Sequence, residues 1–243
     1  LNAGAGRALE LDDAAGKRGL TVVVADLRAF SALSERQLPR ELIGLLNRFF
    51  DEMGQAITAH EGRIDAFYGD GFMAVFGLEG PPARGAQAAI AAAGDIVRAV
   101  DAINREYGAA LPLPLRIGIG IHTGDAVTGA VENDNLGRRE ITVGESVMVA
   151  SQLESATRRV LADVVVSEDT IRASGRSYAG TTALKIAIKG REKPLTAYGF
   201  ASAPEIARRK REDVAVPVPV VAGSEATTPA EVVRDQDETG EKG

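Results

Sequence analysis

Two aspartates carry the chemistry most readily read from this chain. Asp26 lies in Val22-Val23-Val24-Ala25-Asp26-Leu27-Arg28-Ala29-Phe30-Ser31, after a run expected to be a buried strand and before residues expected to open a helix. Asp70 lies in Phe67-Tyr68-Gly69-Asp70-Gly71-Phe72-Met73-Ala74-Val75-Phe76, where Gly-Asp-Gly joins two strand-like runs and the Asp-Gly pair signals a hairpin. Two carboxylates at the rim of one sheet, one of them beside a helix N-terminus, can hold Mg²⁺ against the phosphates of a nucleotide. Taken singly, Asp26 is explained as a helix cap and Asp70 as a turn residue. Only their combination points to metal chemistry.

The elements that must position this pair follow from periodicity. Residues 20–26 read as a strand. Gln37 to His60 places Leu42, Leu45, Leu46, Phe49, Met53 and Ile57 at helical spacing, with Pro39 suited to a first turn. Arg63 to Tyr68 and Phe72 to Phe76 form the hairpin. Pro81 to Tyr107 is an alanine-rich helix, followed by a strand at 115–122 and a helix from Glu145 to Thr157. Val164 to Val166, Thr182 to Ile188 and Thr196 to Phe200 read as strands, with a short helix near Ser167 to Ala173. The core order β-α-β-β-α-β predicts an α+β, ferredoxin-like fold with extra C-terminal strands. Residues 1–18 read as a linker and 19–203 as the domain. Residues 204–243, with Arg208-Arg209-Lys210-Arg211, Val-Pro alternation and Ser, Thr, Glu and Gly, read as a disordered tail.

Composition narrows the classes. At 243 residues and 45% hydrophobic the chain can bury a proper core. No apolar run approaches the roughly 20 residues of a bilayer span, so membrane attachment is expected only through a region preceding this sequence. The first residue is Leu1, read as the start of a piece cut from a longer polypeptide, with processing as the alternative. The absence of cysteine fits a reducing compartment and a cytoplasmic or cytosolic-domain placement. A net charge of −6 and the lack of Trp argue against a nucleic-acid surface. His122 and His60 are read as a packed strand end and a helix end rather than metal ligands. Gly118 and Gly120 on one strand imply close backbone packing or a dimer contact.

The two aspartate segments, in order, together with Leu115-Arg116-Ile117-Gly118-Ile119-Gly120-Ile121-His122-Thr123-Gly124, Val143-Gly144-Glu145-Ser146-Val147-Met148-Val149-Ala150-Ser151 and Ile188-Lys189-Gly190-Arg191, resemble the class III nucleotidyl cyclases. The resemblance spans roughly Leu20 to Phe200. It implies conversion of ATP or GTP to a 3′,5′-cyclic nucleotide, with two Mg²⁺ (or Mn²⁺) ions per site on Asp26 and Asp70. It further implies phosphate binding by the amides of Leu27, Arg28, Ala29, Phe30 and Ser31, with Lys189 reaching the triphosphate as a point charge. Sites in this family lie between two cyclase domains, so a second domain, in a homodimer or heterodimer, is an implied partner. The polar connection around Asn133 to Arg139 becomes a dimerisation arm, or is a flexible loop.

The rest of the family pattern is not matched. The base-recognising Lys is replaced by Ala66, the ribose-positioning Asn by Met148, and the Arg that stabilises charge at the α-phosphate by Gln152. The second base-recognising position falls on Ile141 by direct count and on Thr142 by a one-residue shift. Removing one preorganised donor typically costs about 10²–10³ in rate, so a homodimer of this chain is expected to be nearly or wholly inactive. The chain reads as the metal-bearing half of a split cyclase site, with ATP favoured. The competing reading is a pseudo-cyclase that binds nucleotide or only dimerises. An RNA-binding domain of like topology is disfavoured because no strand carries a stacking platform.

Overall fold

A computed structural model describes residues 18–28, 30–34, 38–133, 137–178, 181–202, 206 and 220–221. β1 (Arg18–Arg28) is followed by the single-turn α1 (Phe30–Ser34) and by α2 (Pro39–Ala59). The hairpin β2 (Arg63–Tyr68) and β3 (Gly71–Phe76) leads into α3 (Pro82–Tyr107), β4 (Arg116–Asn133) and β5 (Gly137–Val143). Then come α4 (Glu145–Arg159), β6 (Val164–Ser167), α5 (Glu168–Ser174), β7 (Ala183–Ile186), β8 (Leu195–Phe200) and β9 (Val220–Val221). The strands order as β2-β3-β1-β4-β6-β8-β7-β9, with β5 paired to β4. The first four are mutually antiparallel and reproduce the strand order of the ferredoxin-like split; β6 joins β4 in parallel.

The expected helices form where their apolar stripes predicted. Pro39 occupies the first turn of α2, and Leu45, Phe49, Met53 and Ile57 recur every four residues as its buried stripe. Alternation along the strands sorts the sheet into two faces. Val23, Ala25 and Leu27 of β1, Phe72, Ala74 and Phe76 of β3, and Ile117, Ile119 and Ile121 of β4 build the main core under α2 and α3. The opposite face carries Val22, Val24 and Asp26, Met73 and Val75, and Gly118, Gly120 and His122, by register. α4 covers only part of it, through Val147 and Ala150 against Val22 and Met73.

Gly120 is what lets α4 lie this close. A Cβ there would stand 2.1 Å from the Ala150 carbonyl oxygen and 2.3 Å from the Glu154 amide nitrogen, and one at Gly118 would stand 2.5 Å from Glu154 Oε1. Both glycines therefore serve helix-on-strand packing within one chain.

Several expectations are corrected. β1 runs on to Arg28, so Asp26 sits inside a strand, paired with Gly71 and Gly118, and does not follow one. β3 begins at Gly71 and not at Phe72, so the Gly-Asp-Gly turn narrows to Gly69-Asp70: Tyr68 pairs with Gly71, and Gly69 takes the first loop position at a φ of 60°. The strand at 115–122 continues to Asn133, and residues 127–133 pair with 137–143, so the polar connection is a β-arm. Of residues 204–243, Ile206 is buried, with its carbonyl accepting from the Tyr178 hydroxyl at 2.9 Å, and Val220–Val221 pairs with β7. The other tail residues and residues 1–17 lie outside those described. No helix among the described residues is long and apolar enough to cross a membrane.

Candidate active site

Register sets the stage. Tyr68, Gly71, Asp26 and Gly118 form one row across β2, β3, β1 and β4, with side chains on the face that α4 only partly covers. Gly71 leaves room for its neighbour: a Cβ there would stand 2.9 Å from Asp26 Oδ1 and 2.6 Å from the Ala25 carbonyl oxygen. Asp70, the turn residue beside Gly71, brings the second carboxylate to the same end of the sheet. The Asp26 carboxyl is held above the usual carboxylate range, first by burial and next by the charge of Asp70, with Arg158 acting in the other direction. Arg158 Nη2 donates to Asp26 Oδ2 at 3.0 Å.

A carboxyl held above its usual range by burial and by a neighbouring carboxylate marks a site short of positive charge. Their hard oxygens suit Mg²⁺ or Mn²⁺. Among the described residues no three His, Cys, Asp or Glu side chains gather as a metal site. Asp26 and Asp70 would therefore be the protein's own ligands, leaving the remaining positions to phosphate oxygens and water, as Mg²⁺ prefers.

Not all expected phosphate ligands are arranged as anticipated. Leu27 and Arg28 belong to β1 and pair with Ile117 and Arg116, so neither opens a helix; α1 begins at Phe30, and Ala29 lies outside the described residues. Leu27 is buried in the core. The Arg28 side chain is spent on the Ala162 carbonyl and on Asp163, 3.4 Å away.

The other half of the site is occupied differently. Gln152 Oε1 accepts the Lys189 backbone N–H at 2.6 Å, so this side chain is folded onto its own chain. Met148, one turn earlier on α4, is 39% exposed. Lys189 is exposed. Thr142 is buried and 3.5 Å from the Thr128 hydroxyl, whereas Ile141 points outward. Ala66 pairs with Met73 just after a bulge at Asp65. The Asp65 carboxylate is gripped by Arg63 at 2.7 Å, and Arg63 also reaches Glu140 on β5. No hydrogen bond or ion pair among the described residues joins the aspartate pair to Met148, Gln152 or Lys189.

Three side chains of this region escaped sequence reasoning: Arg63, Glu154 and Arg158. Only the spacing of Glu154 and Arg158, one helical turn apart at the end of α4, pointed to them. His122, with Nδ1 2.9 Å from the Ser167 hydroxyl, is pushed down to about 4 by burial and stays neutral. His60 pairs with Asp95 at 2.6 Å.

Glu154 lies over Gly118 with Oε1 lacking a hydrogen bond, and is pushed up to about 6 by burial and then by Asp26. The folded chain thus holds this proton more tightly than the unfolded one. Its stability contribution is whole below about pH 4.5 and is lost as pH rises through about 6. Glu154→Gln should match the parent at about pH 4 and exceed it by about 2 kcal/mol above pH 6, read by urea unfolding at several pH values. A constant difference across that range would refute the assignment.

Residues 14–201 match the family model described as the adenylate and guanylate cyclase catalytic domain. The chain is 30% identical over 194 residues to an adenylate cyclase of Anabaena cylindrica, covering 76% of this chain and 37% of that protein. It is 31% identical over 155 residues to adenylate cyclase 1 of Rhizobium meliloti, covering 63% of this chain and 23% of that one. It therefore spans well under half the length of either relative. Among solved structures, the guanylyl cyclase Cya2 superposes with a TM-score of 0.69 at 30% identity, over 77% of this chain and 94% of that one. The adenylyl cyclase CyaB of P. aeruginosa gives 0.68 at 27% identity, over 82% and 98%.

Proposed function

This chain belongs to the adenylate and guanylate cyclase catalytic-domain family, and from that premise we propose that it serves as the metal-bearing half of a split nucleotidyl cyclase site in cyclic-nucleotide signalling. In this reading Asp26 and Asp70 hold two Mg²⁺ ions against a nucleoside triphosphate, ATP in preference to GTP. A second cyclase domain supplies base recognition, ribose positioning and the cation at the α-phosphate. The carrying observation is the asymmetry of the chain. Its two aspartates share one end of the sheet and one electrostatic field, while Met148 is exposed and Gln152 is tied to Lys189.

Cyclisation forms the bond from the ribose 3′-oxygen to the α-phosphorus and breaks the bond to pyrophosphate. Bound Mg²⁺ would make the 3′-hydroxyl more acidic and neutralise charge on the phosphates. The protein's share is positional: β1 and the β2–β3 turn fix two carboxylates, and Gly71 leaves room for that of Asp26. At position 152 the amide can donate a hydrogen bond but carries no charge, and it is held against the Lys189 backbone, so it offers less than a cation to the developing negative charge at the α-phosphate.

The test is calorimetry with ATP and Mn²⁺ on the purified chain, followed by a turnover assay. Binding that requires the metal, is lost in Asp26→Asn and yields no measurable cyclic nucleotide is the expected result. Metal-independent binding, binding that survives Asp26→Asn, or brisk turnover by the chain alone would contradict the reading.

A further inference from the structure

Among the described residues, Arg158 is the one basic side chain placed directly on Asp26, and it comes from the same chain. Its Nη2 stands 3.0 Å from Asp26 Oδ2, and its side chain is 57% exposed. The stem is anchored in the last turn of α4, a helix held down on β4 through Gly118 and Gly120. The guanidinium can therefore swing while its base stays fixed. Other cations nearby are committed elsewhere: Arg28 to Asp163 and the Ala162 carbonyl, and Arg116 to Asp163 at 2.8 Å.

Resting on the reading that Asp26 and Asp70 hold metal, we infer that Arg158 is an exchangeable cation of this site. It competes with a divalent ion for Asp26 Oδ2 and, once displaced, binds the phosphate chain that the metal carries. A metal ion at about 2.1 Å from the same oxygen would stand against the guanidinium as a close like charge. Displacement is easy, because an exposed ion pair contributes little to begin with. The nearest carboxylate on its own helix, Glu154, is buried and offers a poor alternative. The phosphates offer a good one: a guanidinium fork matches two phosphate oxygens, and charge-assisted hydrogen bonds are the strong kind. Arg158 thus adds positive charge, from the metal-bearing chain itself, to the site that its own aspartates build. This makes it a substrate-contacting residue outside the expected set.

The two roles act oppositely on two affinities, which separates them from a merely structural one. The probes are Mn²⁺ alone and Mn²⁺ with 3′-deoxy-ATP, which lacks the attacking hydroxyl. Both are titrated into the parent chain, Arg158→Ala and Arg158→Lys. Arg158→Ala should bind Mn²⁺ alone about two- to fivefold more tightly, because the competitor is gone. It should bind Mn²⁺·3′-deoxy-ATP about tenfold more weakly. Arg158→Lys should recover part of the nucleotide affinity, as a point charge without the fork. Equal weakening of both ligands would mean that Arg158 only props Asp26 in place, and no change in either would mean that it does nothing here; each overturns the proposal. Absence of Mn²⁺ binding by the parent chain would overturn the metal reading itself, and is told apart because it appears before any substitution.

Discussion

A chain carrying Met148→Asn together with Gln152→Arg should form cyclic nucleotide at least about 100-fold faster than the parent chain, measured as product from purified protein with Mn²⁺ and ATP. Both positions lie on one face of α4, a turn apart, and Met148 is already exposed, so neither new side chain needs a cavity. An arginine at 152 gives up the hydrogen bond to the Lys189 amide, a loss of about 1 kcal/mol. Against that stands a charged donor to the transition state, worth about 2.7–4 kcal/mol where such groups have been removed from other enzymes. Charge stabilisation should therefore prevail. Each single substitution should give much less than the pair, because residues that act as a unit do not contribute additively. Failure of the pair to raise product beyond about tenfold, with the protein folded, would show that something other than these positions limits the chain.

Much of the scaffold was legible because its signals are local. The Leu45, Phe49, Met53 and Ile57 stripe sits under α2 as its spacing demands, and the alternation in β1 and β3 sorts residues to the faces they occupy. What was misread depends on pairing partners that a single sequence does not display. Asp26 looked like a strand end, yet β1 continues because Leu27 and Arg28 find Ile117 and Arg116 across the ladder. The turn is one residue tighter than Gly69-Asp70-Gly71, because Gly69 takes the positive φ and Gly71 is needed in the ladder opposite Asp26. The polar connection from Asn133 to Arg139 left arm and loop equally open, because the pairing of 127–133 with 137–143 is set by the two strands together. At the candidate site, residue types at 66, 148 and 152 could be read directly. The fold-back of Gln152 onto Lys189 and the reach of Arg158 to Asp26 are contacts between residues 37 and 132 positions apart, beyond any local pattern.

The larger effect is expected from complementation. On the proposed reading the chain carries the metal aspartates and lacks the partner-side groups; a cyclase domain of the same family with both metal aspartates replaced by alanine would have the reverse defect. Either protein alone would then lack a complete site, since each homodimer would be missing one half twice over. A heterodimer holds one complete site, with Asp26 and Asp70 from this chain facing intact Lys, Asn and Arg from the other. Losing the Arg and Asn functions together costs about 10⁴ or more, so the mixture should exceed the sum of its components by a comparable factor. Asp26→Asn or Asp70→Asn in this chain should abolish that gain. The deciding measurement is cyclic-nucleotide production by the purified mixture, with heterodimer formation followed by crosslinking in the same samples. Product from the mixture alone, dependent on Asp26 and Asp70, is what a metal-bearing half-site predicts. A heterodimer that forms and makes nothing, or product that persists without those aspartates, would contradict it.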